Sequence, residues 1–214
     1  MSLANRIALY ITGRRMAPGQ EMKRTQFAEL VPQPKAVVML GDSITEGGIW
    51  NEWLPNQNIL NRGIGGETAP QVLARTHTAI SEPKAVFLLI GTNDLTLRYA
   101  PGEIAANVEA ILQRIHATAP DAKLYVQSIM PRGRRWRTSI TATNLMLAQV
   151  ARQQEAEYLD LWPTLADEQG NLREGFSLDG LHLTGAGYRA WCGVLRPHIT
   201  KEAQPARSVE HAGP

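Results

Sequence analysis

Residues 36–47 read Ala36-Val-Val-Met-Leu-Gly-Asp-Ser-Ile-Thr-Glu-Gly47, five apolar residues running without a break into a Gly-Asp-Ser turn. So short and uniform an apolar run is the mark of a strand buried on both faces, as in a parallel sheet. The pattern recurs at Ala85–Ile90, which leads into Gly91-Thr-Asn-Asp94, and, less purely apolar, at Leu124–Ile129. Asn58–Asn61 and Glu157–Leu161 are weaker strand candidates. Between these runs the spacing turns helical: Pro70–Ile80, Glu103–Ala117 with Ile104, Val108, Ile111, Leu112 and Ile115 on one face, Thr141–Glu155, and Thr184–Ile199 opening on an N-cap threonine. This alternation predicts an α/β fold, a flavodoxin-like doubly wound sheet of about five parallel strands with helices on both faces.

Outward from that frame, residues 1–35 are expected to be a polar, partly helical lead-in, 36–200 the α/β domain, and 201–214 a polar tail. The 214 residues are 43% apolar and 20% charged, which excludes wholesale disorder. A net charge of +2 is too small to argue for nucleic acid. The longest apolar run, Ala85–Ile90, cannot span a bilayer, and the N-terminus lacks an apolar signal region. No membrane insertion and a cytoplasmic location are the expectations. A single cysteine, Cys192, makes no internal disulfide and is read as a small buried hydrophobe. The five histidines show no metal-ligand spacing, so neither a metal nor an organic cofactor is expected. The Gly63-Ile-Gly-Gly stretch fails as a dinucleotide loop because Thr68 stands at the third glycine position.

In an open parallel sheet, function gathers at the carboxyl ends of the strands. Four blocks fall there or at the start of the last helix: Gly41-Asp-Ser43, Asn61-Arg-Gly63-Ile-Gly-Gly66, Gly91-Thr-Asn-Asp94 and Asp179-Gly-Leu-His182. Acyl transfer to serine needs a nucleophile, a base, a group that orients the base, and donors for the developing oxyanion. Ser43 lies at a strand-to-helix turn, where its hydroxyl is exposed and the helix dipole favours negative charge. His182 is the natural base, and Asp179, three residues earlier, is close enough to hold its other ring nitrogen. Gly63 can bring its N–H close to a ligand, and the Asn93 amide is a neutral donor. Asp42 is read as structural, bonding backbone in the turn.

In that order, the four blocks resemble the SGNH hydrolase family, the GDSL esterases and lipases. The resemblance spans roughly residues 36 to 200. It implies Ser43 as nucleophile, His182 as base and Asp179 as its partner, with Ser43 N–H, Gly63 N–H and the Asn93 side chain as the oxyanion hole. Ile44 replaces the leucine of the family's short name. The stretches Asn61-x-Gly-Ile-Gly-Gly-Glu-Thr68, Met130-Pro-Arg-Gly133 and Leu181-His-Leu-Thr-Gly-x-Gly-Tyr188 are most similar to the intracellular type of platelet-activating-factor acetylhydrolase catalytic subunits and their bacterial relatives. This implies a small-molecule ester substrate with a short acyl group, often acetyl, and a homodimer as the assembly to expect.

Arg132, Arg134, Arg135 and Arg137 surround Trp136 after the third clear strand, on the edge where the site belongs. They read as a solvated loop or as guanidiniums that select an anionic substrate group. Trp50 and Trp53, taken as lying on the helix after Ser43, read as core or pocket wall. Three functions are therefore carried forward: a short-acyl esterase, an acyl-CoA thioesterase or lysophospholipase using the same residues, and a catalytically silent binding protein of the same fold.

Overall fold

A computed structural model of the chain describes residues 3–200, with side chains from 16 to 199. The tail at 201–214 lies outside the described residues. Five parallel strands, β1 (Val37–Gly41), β2 (Ile59–Gly63), β3 (Ala85–Leu89), β4 (Lys123–Gln127) and β5 (Glu157–Leu159), form one sheet in the order β2-β1-β3-β4-β5. The order reverses between β1 and β3, so their carboxyl ends frame the crevice where such sheets bind ligands.

The helices are α1 (Leu3–Glu29), α2 (Ser43–Glu46), α3 (Trp50–Trp53), α4 (Ala69–Ala79), α5 (Thr92–Thr96), α6 (Pro101–Thr118), α7 (Arg137–Gln153), α8 (Trp162–Leu165) and α9 (Gly185–Thr200). Strand side chains alternate between two cores. Val38, Leu40, Val86, Leu88 and Val126 face α4, α6 and α7, where Val72, Ile104, Val108, Ile111 and Leu147 are buried. Val37, Met39, Phe87 and Tyr125 face the other way, towards Trp50, Leu161, Trp191 and Leu195. Both faces of each central strand are thus covered, which is why β1 and β3 read as unbroken apolar runs.

The polar ends of the large aromatics are satisfied: Trp191 Nε1 donates to Gln127 Oε1 (2.7 Å) and Trp50 Nε1 to Thr45 O (2.9 Å). Helix starts follow local chemistry. At the start of α4, Gln71 Oε1 accepts from Thr68 N (3.0 Å) and Thr68 Oγ1 (3.1 Å), and the Asp94 carboxylate accepts from Ala69 N at 3.0 and 3.1 Å. Thr184 caps α9 through Gly187 N and also donates to Gly175 O.

Within the lead-in, α1 covers residues 3–29 and residues 30–35 lie outside any helix. Two boundaries differ from those expected. Helix α7 starts at Arg137, ahead of the expected Thr141, because it follows directly on a short 3-10 turn, Arg134–Trp136. Trp50 and Trp53 do not continue the helix of Ser43: Gly47-Gly48 separates α2 from α3, and Trp50 belongs to the core.

Candidate active site

Strand β1 ends at Gly41, where any Cβ would collide with Leu89 O of β3 and with Thr45 Oγ1, so only glycine lets the chain turn here. Asp42 then caps α2, its Oδ1 accepting from Ile44 N at 3.0 Å, the structural role expected of it. Ser43 is the first residue of α2, so its N–H has no partner within the helix. Tyr188 of α9 donates to Ile44 O at 2.7 Å and ties the turn to the far helix.

Ser43 Oγ lies 2.9 Å from His182 Nε2, and His182 Nδ1 lies 2.7 Å from Asp179 Oδ2. A carboxylate only accepts, so Nδ1 carries the proton and Nε2 is left to accept from the serine hydroxyl. Asp179 Oδ1 accepts from His182 N (2.8 Å), Leu181 N (2.9 Å) and Ser177 Oγ (3.1 Å), which winds the 177–182 loop around the carboxylate. Hydrogen bonds from the His182 ring, then from the backbone N–H groups of His182 and Leu181, hold the Asp179 carboxyl well below the usual carboxylate range. Gly180, at φ +76°, makes the loop's tight reversal.

The second and third blocks converge on the same turn. Asn93 Nδ2 donates to Glu67 O at 2.9 Å and stands 3.4 Å from Asp42 Oδ2. Gly63 lies at the end of β2. Its N–H donates to Asn61 Oδ1 at 3.0 Å, and a Cβ there would collide with Glu46 N, so its visible role is to let β2 press against α2. Asn61 Nδ2 in turn donates to Glu46 O and Gly48 O.

Sequence reading missed what stands behind this loop. Glu67 is fully buried and paired with Arg75 Nε (2.6 Å) and Arg24 Nε (2.9 Å). Arg75 Nη2 donates to Arg62 O and Gly41 O. Gln20 of α1 donates to Gly65 O, and Gly65 N donates to Glu46 Oε2. Arg75 was the available signal, a charge three residues after Val72 on the buried stripe of α4.

The arginine loop separates. Arg132 is half-buried beside Thr92 and Thr96, whereas Arg134 and Arg135 are exposed. Arg137 turns towards Gly170. Among the described residues no cluster of three His, Cys, Asp or Glu side chains could hold a metal, and no helix is long and apolar enough to cross a membrane.

Burial pushes the Asp42 carboxyl up to about 7 and the Asp94 carboxyl up to about 6. Both groups bind their proton more tightly folded than unfolded, so this contribution to stability is complete below about pH 4 and is lost as pH rises towards 7. The melting temperature is expected to fall between pH 5 and 7.5, and the fall should be shallower in Asp42→Asn. Equal slopes in the two proteins would remove Asp42 as a cause.

A five-stranded 2-1-3-4-5 parallel sheet with serine, histidine and aspartate in hydrogen-bonded series at its carboxyl edge is the fold of an SGNH hydrolase. The chain belongs to the GDSL-like lipase/acylhydrolase family, whose model matches residues 39–190, and it is a hydrolase. It is 30% identical over 174 residues to the human platelet-activating factor acetylhydrolase IB subunit alpha2, covering 76% of this chain and 75% of that one. A solved structure described as a platelet activating factor from Streptococcus pneumonia superposes with a TM-score of 0.84 at 27% identity, over 91% of this chain and 99% of that one. A GDSL-like lipase from Bacteroides thetaiotaomicron shares the fold with a TM-score of 0.70 at 24% identity, over 85% and 97% of the two chains.

Proposed function

We propose that the protein is a serine esterase that hydrolyses short-acyl, acetyl-like carboxylic esters through an acyl-enzyme on Ser43. The observation that carries this reading is the series Ser43 Oγ, His182 Nε2, His182 Nδ1, Asp179 Oδ2, with gaps of 2.9 and 2.7 Å. His182 takes the serine proton as Oγ attacks the ester carbonyl. The resulting imidazolium is held by Asp179 and then protonates the departing alcohol. Water enters, gives its proton to His182 and attacks the acyl-serine, releasing the acid as the proton returns to Ser43. Asp179 stays ionised throughout, consistent with its depressed pKa.

The oxyanion is received by the Ser43 N–H and the Asn93 amide. Asn93 Nδ2 keeps one hydrogen on Glu67 O and has only the long 3.4 Å contact with Asp42 for the other, which turns to substrate. Gly63 joins this hole only by releasing Asn61 Oδ1. Removing one such donor costs about 10²–10³-fold in kcat, the outcome expected for Asn93→Ala. An effect confined to KM would take Asn93 out of this role.

The short acyl length is supported by the name of the human relative, an acetylhydrolase. Rates on p-nitrophenyl esters from acetate to palmitate test it. Activity should drop steeply beyond butyrate, whereas rates rising with chain length would favour a lysophospholipase or thioesterase.

A further inference from the structure

We propose that Arg132 forms a subsite for an anionic group, a phosphate or carboxylate, carried by the substrate next to its scissile ester. The proposal rests on the esterase reading and gives that site its specificity. Arg132 follows β4 and reaches back to α5, which follows the neighbouring strand β3. Its Nη1 donates to Thr96 Oγ1 (3.0 Å), Thr92 Oγ1 (3.3 Å) and Thr92 O (3.5 Å), and Thr92 immediately precedes Asn93. The guanidinium lies over the Trp136 ring at 4.2 Å, which fixes its plane. The guanidinium is thus anchored at one end and on one face, one residue from the amide that receives the oxyanion.

What it lacks is a counterion. Among the described residues no carboxylate lies within ion-pair distance of Arg132, and its Nε is buried with no acceptor. A desolvated guanidinium in that state is costly unless something satisfies it. A second cation makes the need greater: Arg135 stands over the same Trp136 ring at 5.2 Å. Burial and Arg135 both push the Arg132 pKa down, while the charges of Asp179 and Asp42 act on it favourably from the site. With Nη1 on Thr92 and Thr96 and Nε buried, Nη2 is the donor left for an oxygen of a phosphate or carboxylate, a charge-assisted bond that a neutral ester does not offer. Arg134 and Arg135 are themselves exposed.

The test compares phenyl acetate with 4-acetoxybenzoate and 4-acetoxyphenyl phosphate, each rate corrected for chemical reactivity, in wild type and in Arg132→Met. Wild type should prefer at least one anionic ester, and the anionic-to-neutral ratio of kcat/KM should fall about tenfold or more in the variant, as expected for losing charge-assisted hydrogen bonds. Arg132→Lys, which keeps the charge without the planar guanidinium held over Trp136, should give an intermediate ratio. A preference confined to the phosphate or to the carboxylate assigns the group. Wild type with no preference overturns the proposal without any variant, and so does a ratio unchanged in folded Arg132→Met. If Arg132→Met does not fold, Arg132→Gln, which can still donate to Thr92 and Thr96, gives the same comparison. Hydrolysis that is lost in Ser43→Ala while the ratio stays unchanged overturns Arg132 alone. Hydrolysis that persists in Ser43→Ala overturns the esterase reading instead.

Discussion

Ser43→Ala is expected to lower kcat on p-nitrophenyl acetate by a factor on the order of 10⁴ or more while leaving the protein folded. In a serine–histidine–aspartate arrangement the residues act as a unit, and loss of the nucleophile removes the covalent route entirely. The oxyanion donors and binding contacts remain and account for the residual rate. The side chain makes one hydrogen bond, to His182, in an exposed setting, so its removal strands no buried group. The expected shift in melting temperature is correspondingly small. Retention of near-full activity would mean that the chemistry runs through a different nucleophile.

The second large effect is on stability. Glu67→Ala should cost about 3–5 kcal/mol, read from chemical denaturation, because it leaves the buried Arg75 charge without its carboxylate. Arg75 Nη2 keeps its bonds to Arg62 O and Gly41 O, but Nε loses its 2.6 Å partner, and Nη1 is already without an acceptor. Arg24 loses its anchor too, and with it one of the ties from α1 to the loop behind Ser43. The double variant Glu67→Leu/Arg75→Met removes both charges and should recover much of the loss, since exchanging a whole buried pair for apolar groups is far less damaging than breaking it. A cost below about 1 kcal/mol for Glu67→Ala would show that the pair does not hold this region together.

The parts of the molecule that were legible in sequence share a physical feature: their pattern is local. β1 and β3 are apolar runs of strand length, β4 is a less pure one, and Asp179-x-x-His182 places a carboxylate and an imidazole within one loop. β2 was fainter because Asn61 and Arg62 interrupt it. Asn61 is spent on Glu46 O, Gly48 O and Gly63 N, and buried Arg62 lies over the Phe27 ring of α1 at 4.6 Å. Helix α1 carries no clear apolar stripe in its sequence. Its C-terminal half docks instead through Gln20, Arg24 and Phe27.

The remaining differences depend on contacts between residues far apart in the chain. That the Gly63 N–H is already engaged follows from the placement of the Asn61 side chain, which spacing does not reveal. The division of the arginine loop into an inward Arg132 and outward Arg134 and Arg135 depends on Thr92 and Thr96, about forty residues upstream. Asp94 illustrates the same point: four residues of sequence place it beside Asn93, yet its carboxylate caps a helix that begins at Ala69.

The most direct test of the central claim is to label the protein with a fluorophosphonate and locate the adduct by peptide mass spectrometry. The account predicts one adduct, on Ser43, formed much more slowly in His182→Ala and absent from Ser43→Ala. An unlabelled wild-type protein, or an adduct on another serine that survives Ser43→Ala, would contradict it.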